Sequence, residues 1–355
     1  ELRQDSSTFH DEYQEIDVVG GEWRPVRVGA PRCHYSGTAL DATRGFGRVR
    51  ASACGRRSGL VAVVAFDDGF AELTWDGGRQ VLRDVADGSM PRPRSPGLAA
   101  AADVRRSATA ACGPSDPSVK RVDIVAVNDA RRSAKRGDDT TDQTSLIMSL
   151  VADIYAGDVV DGGGLAGDRS IFGCDVRPRL VGQVTWRDDD PDDLDYVQGD
   201  DCASECDETC DADEHSSSCL LSSFRSWVAD DRSALEDAFG DFDGAALFTG
   251  ADMNGQLAGL AYVDSVCSSY SAFLASTFDK DSALNTAVLV SHELAHTLGM
   301  GHDSDVEDDE YVMSAVWSGD GPLTAYQFSD FSRSEAADFF QAADTTCLDD
   351  DDDDD

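Results

Sequence analysis

The chain holds only six histidines in 355 residues, and three of them fall in one short window. It reads His292-Glu293-Leu294-Ala295-His296-Thr297-Leu298-Gly299-Met300-Gly301-His302, with Asp303 next. On a helix, His292 and His296 are i and i+4, so both imidazoles leave one face and can bind one Zn²⁺. Glu293 then lies where its carboxylate reaches a zinc-bound water. Gly299 permits a backbone turn that most residues resist, which returns His302 as a third ligand. Three protein ligands leave a fourth position for water, the pattern of a catalytic rather than a structural zinc. His-Glu-x-x-His alone arises by chance in ~1% of chains of this length, and the added Gly and His cut that about a thousandfold. Zinc lowers the pKa of its water towards ~7 and polarises a carbonyl, while Glu293 acts as general base. The reaction class is metal-assisted peptide hydrolysis without a covalent intermediate.

Those residues need elements to hold them. A helix is expected over about 283–298. Before it, Val122 to Val127, Leu180 to Trp186, Ala245 to Thr249 and Leu257 to Val263 read as strands. Leu146, Ile147, Leu150, Val151 and Ile154 recur at helical spacing, and a second helix is expected over about 220–239. Strands mixed with long helices argue for α/β or α+β. Residues 1–100 carry short strand-like runs. Leu60 to Phe66, Asp67-Asp68-Gly69 and Phe70 to Trp75 read as a hairpin. A Pro-rich, basic and then Ala-rich stretch over 88–117 reads as a linker, placing a boundary near residue 117. Asp349 to Asp355 reads as an acidic disordered tail.

The chain carries 69 acidic and 29 basic residues, a formal net charge of -40, and is 41% hydrophobic. That is enough apolar material for a core. The charge argues against nucleic acid and anionic lipid as partners, because phosphate binding needs Lys and Arg. No run of 18 apolar residues exists, so no spanning helix is expected. Ten cysteines argue for an oxidising, extracellular or secretory compartment. The chain opens on Glu1 without an apolar leader, so it reads as a fragment or processed product. Cys33 and Cys54 flank the hairpin region as a possible pair. Cys202, Cys206, Cys210 and Cys219 lie in an acidic insertion over 187–219 and read as local disulfides.

The segment from His292 to Asp303 resembles the metzincins, and within them is most similar to the adamalysin/reprolysin (ADAM-like) family of zinc metalloproteases. Tyr311-Val312-Met313 resembles the family's Met-turn, placing Met313 as a hydrophobic floor beneath the zinc. Asp243 to Thr249, Gly259 to Val263 with Cys267, and Phe328 to Leu348 resemble stretches around the zinc helix. The resemblance implies an α+β zincin catalytic domain over 118–348, with a mixed five-stranded sheet, an active-site helix and a small C-terminal subdomain. A mainly β propeptide over 1–117 would precede it. The implied activity is that of a secreted zinc endopeptidase made as a zymogen, with protein or peptide substrate pairing along the edge strand 257–263.

The same resemblance implies a Cys267–Cys347 disulfide, and Cys112-Gly113 looks like a cysteine switch that keeps the enzyme latent. It also implies a structural Ca²⁺ site built from Asp123, Asp243, Asp350 and the Cys347 carbonyl. Lys120-Arg121 is either a dibasic cleavage site or, as favoured here, the start of the first strand. Val312 stands where the family usually has a cysteine. With Cys112 set aside, five cysteines (174, 202, 206, 210 and 219) remain; either one is free or Cys112 is paired and the switch fails. The competing reading is a non-catalytic, acidic, calcium-binding extracellular module on a protease scaffold. Intact Glu293 argues against it.

Overall fold

The computed structural model describes residues 2–54, 60–66, 69–76, 79–84, 98–99, 119–157, 175–277, 282–303, 311–315 and 326–349. Cys112, Cys174, Asp350 to Asp355 and all of the 88–117 linker except 98–99 lie outside the described residues. No described helix is long and apolar enough to cross a membrane.

Five strands form the centre of the larger sheet. They are β10 (Val119–Asn128), β11 (Asp175–Trp186), β12 (Gly244–Thr249), β13 (Gly259–Val263) and β14 (Ala272–Ser276). β11, β10, β12 and β14 are parallel neighbours, and β13 runs antiparallel to β14. From Ile124 to Val127 β10 is a continuous apolar run, because both of its faces are covered there. Ile124 and Ala126 join one core with α2 (Thr140–Ala156) and α6 (Ala283–Thr297). Val125 and Val127 join another with α4 (Ser217–Asp230) and α5 (Arg232–Phe239). The helix expected over 220–239 is thus two helices broken at Asp231. β14 was not anticipated, although Ala272–Ser276 is a short apolar run buried throughout.

The N-terminal residues divide between two sheets. β1 (Leu2–Gln4), β4 (His34–Asp41), β5 (Gly45–Ser52), β6 (Val61–Phe66), β7 (Gly69–Asp76) and β8 (Arg79–Asp84) form an antiparallel six-stranded sheet in the order β1-β4-β5-β6-β7-β8. The expected hairpin is β6 with β7. Cys33 and Cys54 are bonded just beyond the paired ends of β4 and β5.

β2 (Phe9–Val19) and β3 (Glu22–Val28) instead extend the larger sheet: β2 lies parallel to β11, and β3 antiparallel to β2. Residues placed before the boundary at 117 therefore complete the sheet expected to begin after it. Alternation explains the fit. Phe9 and Tyr13 enter the core beneath α2, while Ile16 and Val18 enter the opposite core. Tyr13 is fully buried; its hydroxyl accepts from Gln183 Nε2 at 2.6 Å and donates to Glu15 Oε1 at 3.0 Å. Burying Phe9, Ile16 and Val18 contributes about 5–9 kcal/mol as an upper estimate, comparable to the whole net stability of a typical domain.

The insertion over 187–219 is stapled by Cys202–Cys210 and Cys206–Cys219, with Cys202 on α3 (Asp201–Glu205) and Cys206 at its C-terminal end. Lys120 and Arg121 lie within β10, and Lys120 is buried.

Candidate active site

His292, Glu293 and His296 lie on α6, every residue of which is buried. Ser282 caps its start, accepting the Asn285 amide hydrogen. Gly299, at φ +82°, ends it. There the Gly299 amide donates to the His296 carbonyl and Met300 to Ala295, a Schellman pair that satisfies the last carbonyls. A side chain at Gly299 would also meet Asp264 and the Phe339 ring.

The turn brings three imidazoles together. His292 Nε2 lies 3.1 Å from His296 Nε2 and 3.2 Å from His302 Nε2. Their other nitrogens fix the tautomers. His292 Nδ1 donates to the Val312 carbonyl at 2.6 Å, and His296 Nδ1 to the Met300 carbonyl at 2.8 Å. A carbonyl only accepts, so both Nδ1 atoms carry the proton and both Nε2 atoms present lone pairs. Lone pairs aimed at one another from this range repel unless a cation lies between them. Two nitrogens ligating one zinc at tetrahedral angles stand about 3.3 Å apart. The three rings therefore fit the ion.

Burial, and then the neighbouring imidazoles, push His292 well below the ordinary histidine value and His296 down to about 4. Burial lowers His302 as well. These shifts favour the neutral imidazole at physiological pH, the form that a metal ligand requires. His292 and His296 lie in the C-terminal half of α6, where the helix dipole also favours a cation.

Glu293 is fully buried and packs against β13, expected from the sequence to be the edge strand but flanked on its outer side by β9 (Leu98–Ala99). A Cβ built on Gly259 would stand 2.4 Å from Glu293 Oε1 and 2.7 Å from its Cγ. Only glycine leaves room for the carboxylate. Met313 is fully buried in the same core as α6, and its carbonyl accepts from the Asp303 amide. Asp303 Oδ1 accepts from Ser329 Oγ and Ser332 Oγ at 2.5 and 2.8 Å, tying the His302 loop to the start of α7 (Asp330–Ala342). Gly259, Asp303 and the Val312 and Met300 carbonyls complete the site. The sequence offered no signal for the carbonyls, since any residue supplies one.

Cys267 and Cys347 are bonded across 80 residues. Cys112, the switch candidate, lies outside the described residues.

The residues assigned to calcium are otherwise committed. Asp123 accepts from Arg179 Nε and NH2, both at 2.7 Å, one to each oxygen. Asp243 Oδ2 accepts the Asp123 amide hydrogen at 2.7 Å, and burial followed by the Asp123 charge pushes Asp243 up to about 7. Lys120 pairs with Asp349, next to Leu348 and Cys347. Asp350 lies outside the described residues. A guanidinium stands where the ion would need carboxylate oxygens, so this donor set does not fit calcium as it stands.

Residues 209–351 match the family described as Reprolysin (M12B) family zinc metalloprotease. The match supports a reprolysin-type metzincin over this stretch. It takes in α4 to α7, the three histidines and the Met313 segment, and the family uses a catalytic zinc. Among solved structures, one titled "Structure of a chaperone-substrate complex" is similar over 81% of this chain at 10% identity, with a TM-score of 0.40. The match covers 39% of that chain, so the present chain spans well under two thirds of its length.

Proposed function

We propose that this reprolysin-type protein is a zinc-dependent endopeptidase in which Glu293 is the general base. The supporting observation is the convergence of three Nε2 atoms, those of His292 and His296 presenting lone pairs, with a fully buried glutamate on the same helix. Zinc held by His292, His296 and His302 would supply the Lewis acidity that acidifies water and polarises the scissile carbonyl. Glu293 takes the proton of the attacking water and passes it to the leaving amine. Val312 and Met300 hold two of the imidazoles by their Nδ1 protons. Met313 closes the floor. An extended peptide pairs along β13.

Leu98 and Ala99 (β9) already lie parallel to Tyr262 and Val263 of that strand. Latency on this reading includes occupation of the substrate edge by the chain's own linker. Activation then means displacing that linker, because loss of all residues before 117 would strip β2 from the sheet. Cys112 as a thiolate ligand is the complementary part of this proposal. Secretion accords with the described disulfides.

The test is Glu293→Gln, assayed with a quenched fluorescent peptide alongside zinc content and melting. Turnover is expected to fall at least about 10²-fold with one zinc retained. Undiminished turnover, or a wild-type protein without stoichiometric zinc, would overturn the reading.

A further inference from the structure

α6 has no acidic residue in its own first turn. The charge comes from elsewhere. Glu72, on β7 of the N-terminal sheet, is buried, and its Oε1 accepts from Ser282 Oγ at 2.7 Å and from the Leu284 amide at 2.9 Å. Ser282 is the helix cap, and Leu284 is in the first turn. A carboxylate 210 residues upstream thus satisfies an amide that the helix cannot, and opposes the positive end of the helix dipole.

Two residues earlier on the same face of β7, Phe70 packs on Tyr326 with ring centroids 4.3 Å apart. The residue after Tyr326 closes a chain of contacts: the Gln327 carbonyl accepts from the Val312 amide, and the Val312 carbonyl accepts from His292 Nδ1. One strand of the N-terminal sheet therefore holds both the start of the zinc helix and the segment that orients a zinc ligand. The join is anchored around it. Phe70 and Val63 belong to the same core as α6 and Met313. Arg50 of β5 forks both oxygens of Asp153 on α2.

We propose that β7 is a positioning element of the metal centre, with Glu72 and Phe70 setting the placement of α6 and of the Val312 carbonyl. The N-terminal sheet is on this view a working part of the site and not only its cover. The proposal rests on the zinc reading above.

The test uses the full chain loaded with zinc or with Co²⁺. Glu72→Ala removes the acceptor, Glu72→Gln keeps a neutral acceptor, and Phe70→Leu loosens the second contact. Disulfide removal in the same sheet, by Cys33→Ala with Cys54→Ala, is the control for general destabilisation. Zinc release to a colorimetric chelator is expected to quicken about tenfold or more in Glu72→Ala and Phe70→Leu, the scale seen when partners of ligating groups are lost. The Co²⁺ visible bands shift with it. Glu72→Gln returns most of the way to wild type, and the disulfide control melts lower with unchanged bands. Wild-type release rates and bands in both Phe70→Leu and a folded Glu72 variant would overturn the proposal. So would an equal effect in the disulfide control. A wild-type chain that binds no zinc would sink the underlying reading instead.

Discussion

Gly259→Ala places the sharpest demand on this account, because it changes no ligand and no proton donor. The added methyl would begin 2.4 Å from Glu293 Oε1 and 2.7 Å from Cδ and Cγ. Ordinary carbon–oxygen contact needs roughly 3.4 Å or more, so the carboxylate must withdraw by about 1 Å. Glu293 is fully buried and has no open solvent to retreat into. A displacement of about 1 Å in a reacting group costs about 10²-fold, or ~2.7 kcal/mol of transition-state stabilisation. The expected result is a kcat about a hundredfold lower, with one zinc per chain still bound. Peptide turnover, zinc content by mass spectrometry and thermal melting measure the three quantities separately. A folded, zinc-replete Gly259→Ala protein within twofold of wild-type kcat would refute Glu293 as a positioned base.

Two further outcomes follow from the carboxylates near the start of β10. Arg179→Met releases both oxygens of Asp123, so added Ca²⁺ is expected to stabilise the variant by about 1–3 kcal/mol at millimolar concentration, and the wild type hardly at all; an equal gain in the wild type, measured by melting at fixed zinc, would show that Arg179 does not stand in for the ion. Asp243, pushed up to about 7 by burial and then by Asp123, holds a proton in the folded state that the unfolded chain gives up near 4, so its contribution is full below the unfolded value and is lost as pH rises through the folded one. Asp243→Asn keeps an acceptor for the Asp123 amide, and its stability relative to wild type should rise between about pH 5 and about pH 8; denaturant titrations giving a pH-independent difference would count against that assignment.

The three histidines, Glu293 and Gly299 were legible because metal chemistry fixes residue type and spacing together. The strands β10, β11 and β12 were legible for a different reason: each holds a short apolar stretch, Ile124 to Val127, Leu180 with Val181, and Ala245 to Phe248, buried on both faces. What was missed depends on partners far along the chain. Nothing in Phe9–Val19 announces that it will pair with β11 rather than with its neighbours in β4 or β5, since strand periodicity specifies a face and not a partner. Asp231 divides one amphipathic run into α4 and α5 without a proline or glycine to mark the break. Arg179 is an unremarkable basic residue until β11 aligns beside β10 and places its guanidinium across Asp123. The Val312 carbonyl carries no side-chain signature at all.

The parallel pairing of β2 with β11 also sets an order of events during synthesis. Val18 is the partner of Trp186, so the first hairpin of the chain leaves the ribosome about 170 residues ahead of the strand it must join. At ~5–20 residues per second that is a wait of about 10–30 s. Through that interval β2 has β3 on one side and an open hydrogen-bonding edge on the other, beside a row of apolar side chains meant for two cores. Such an edge invites pairing with a second nascent copy. Asp11, Glu12, Glu15 and Asp17 are spaced along the same strand. Two copies laid edge to edge would bring Asp11, Glu12 and Asp17 of each together, and like charges oppose that pairing.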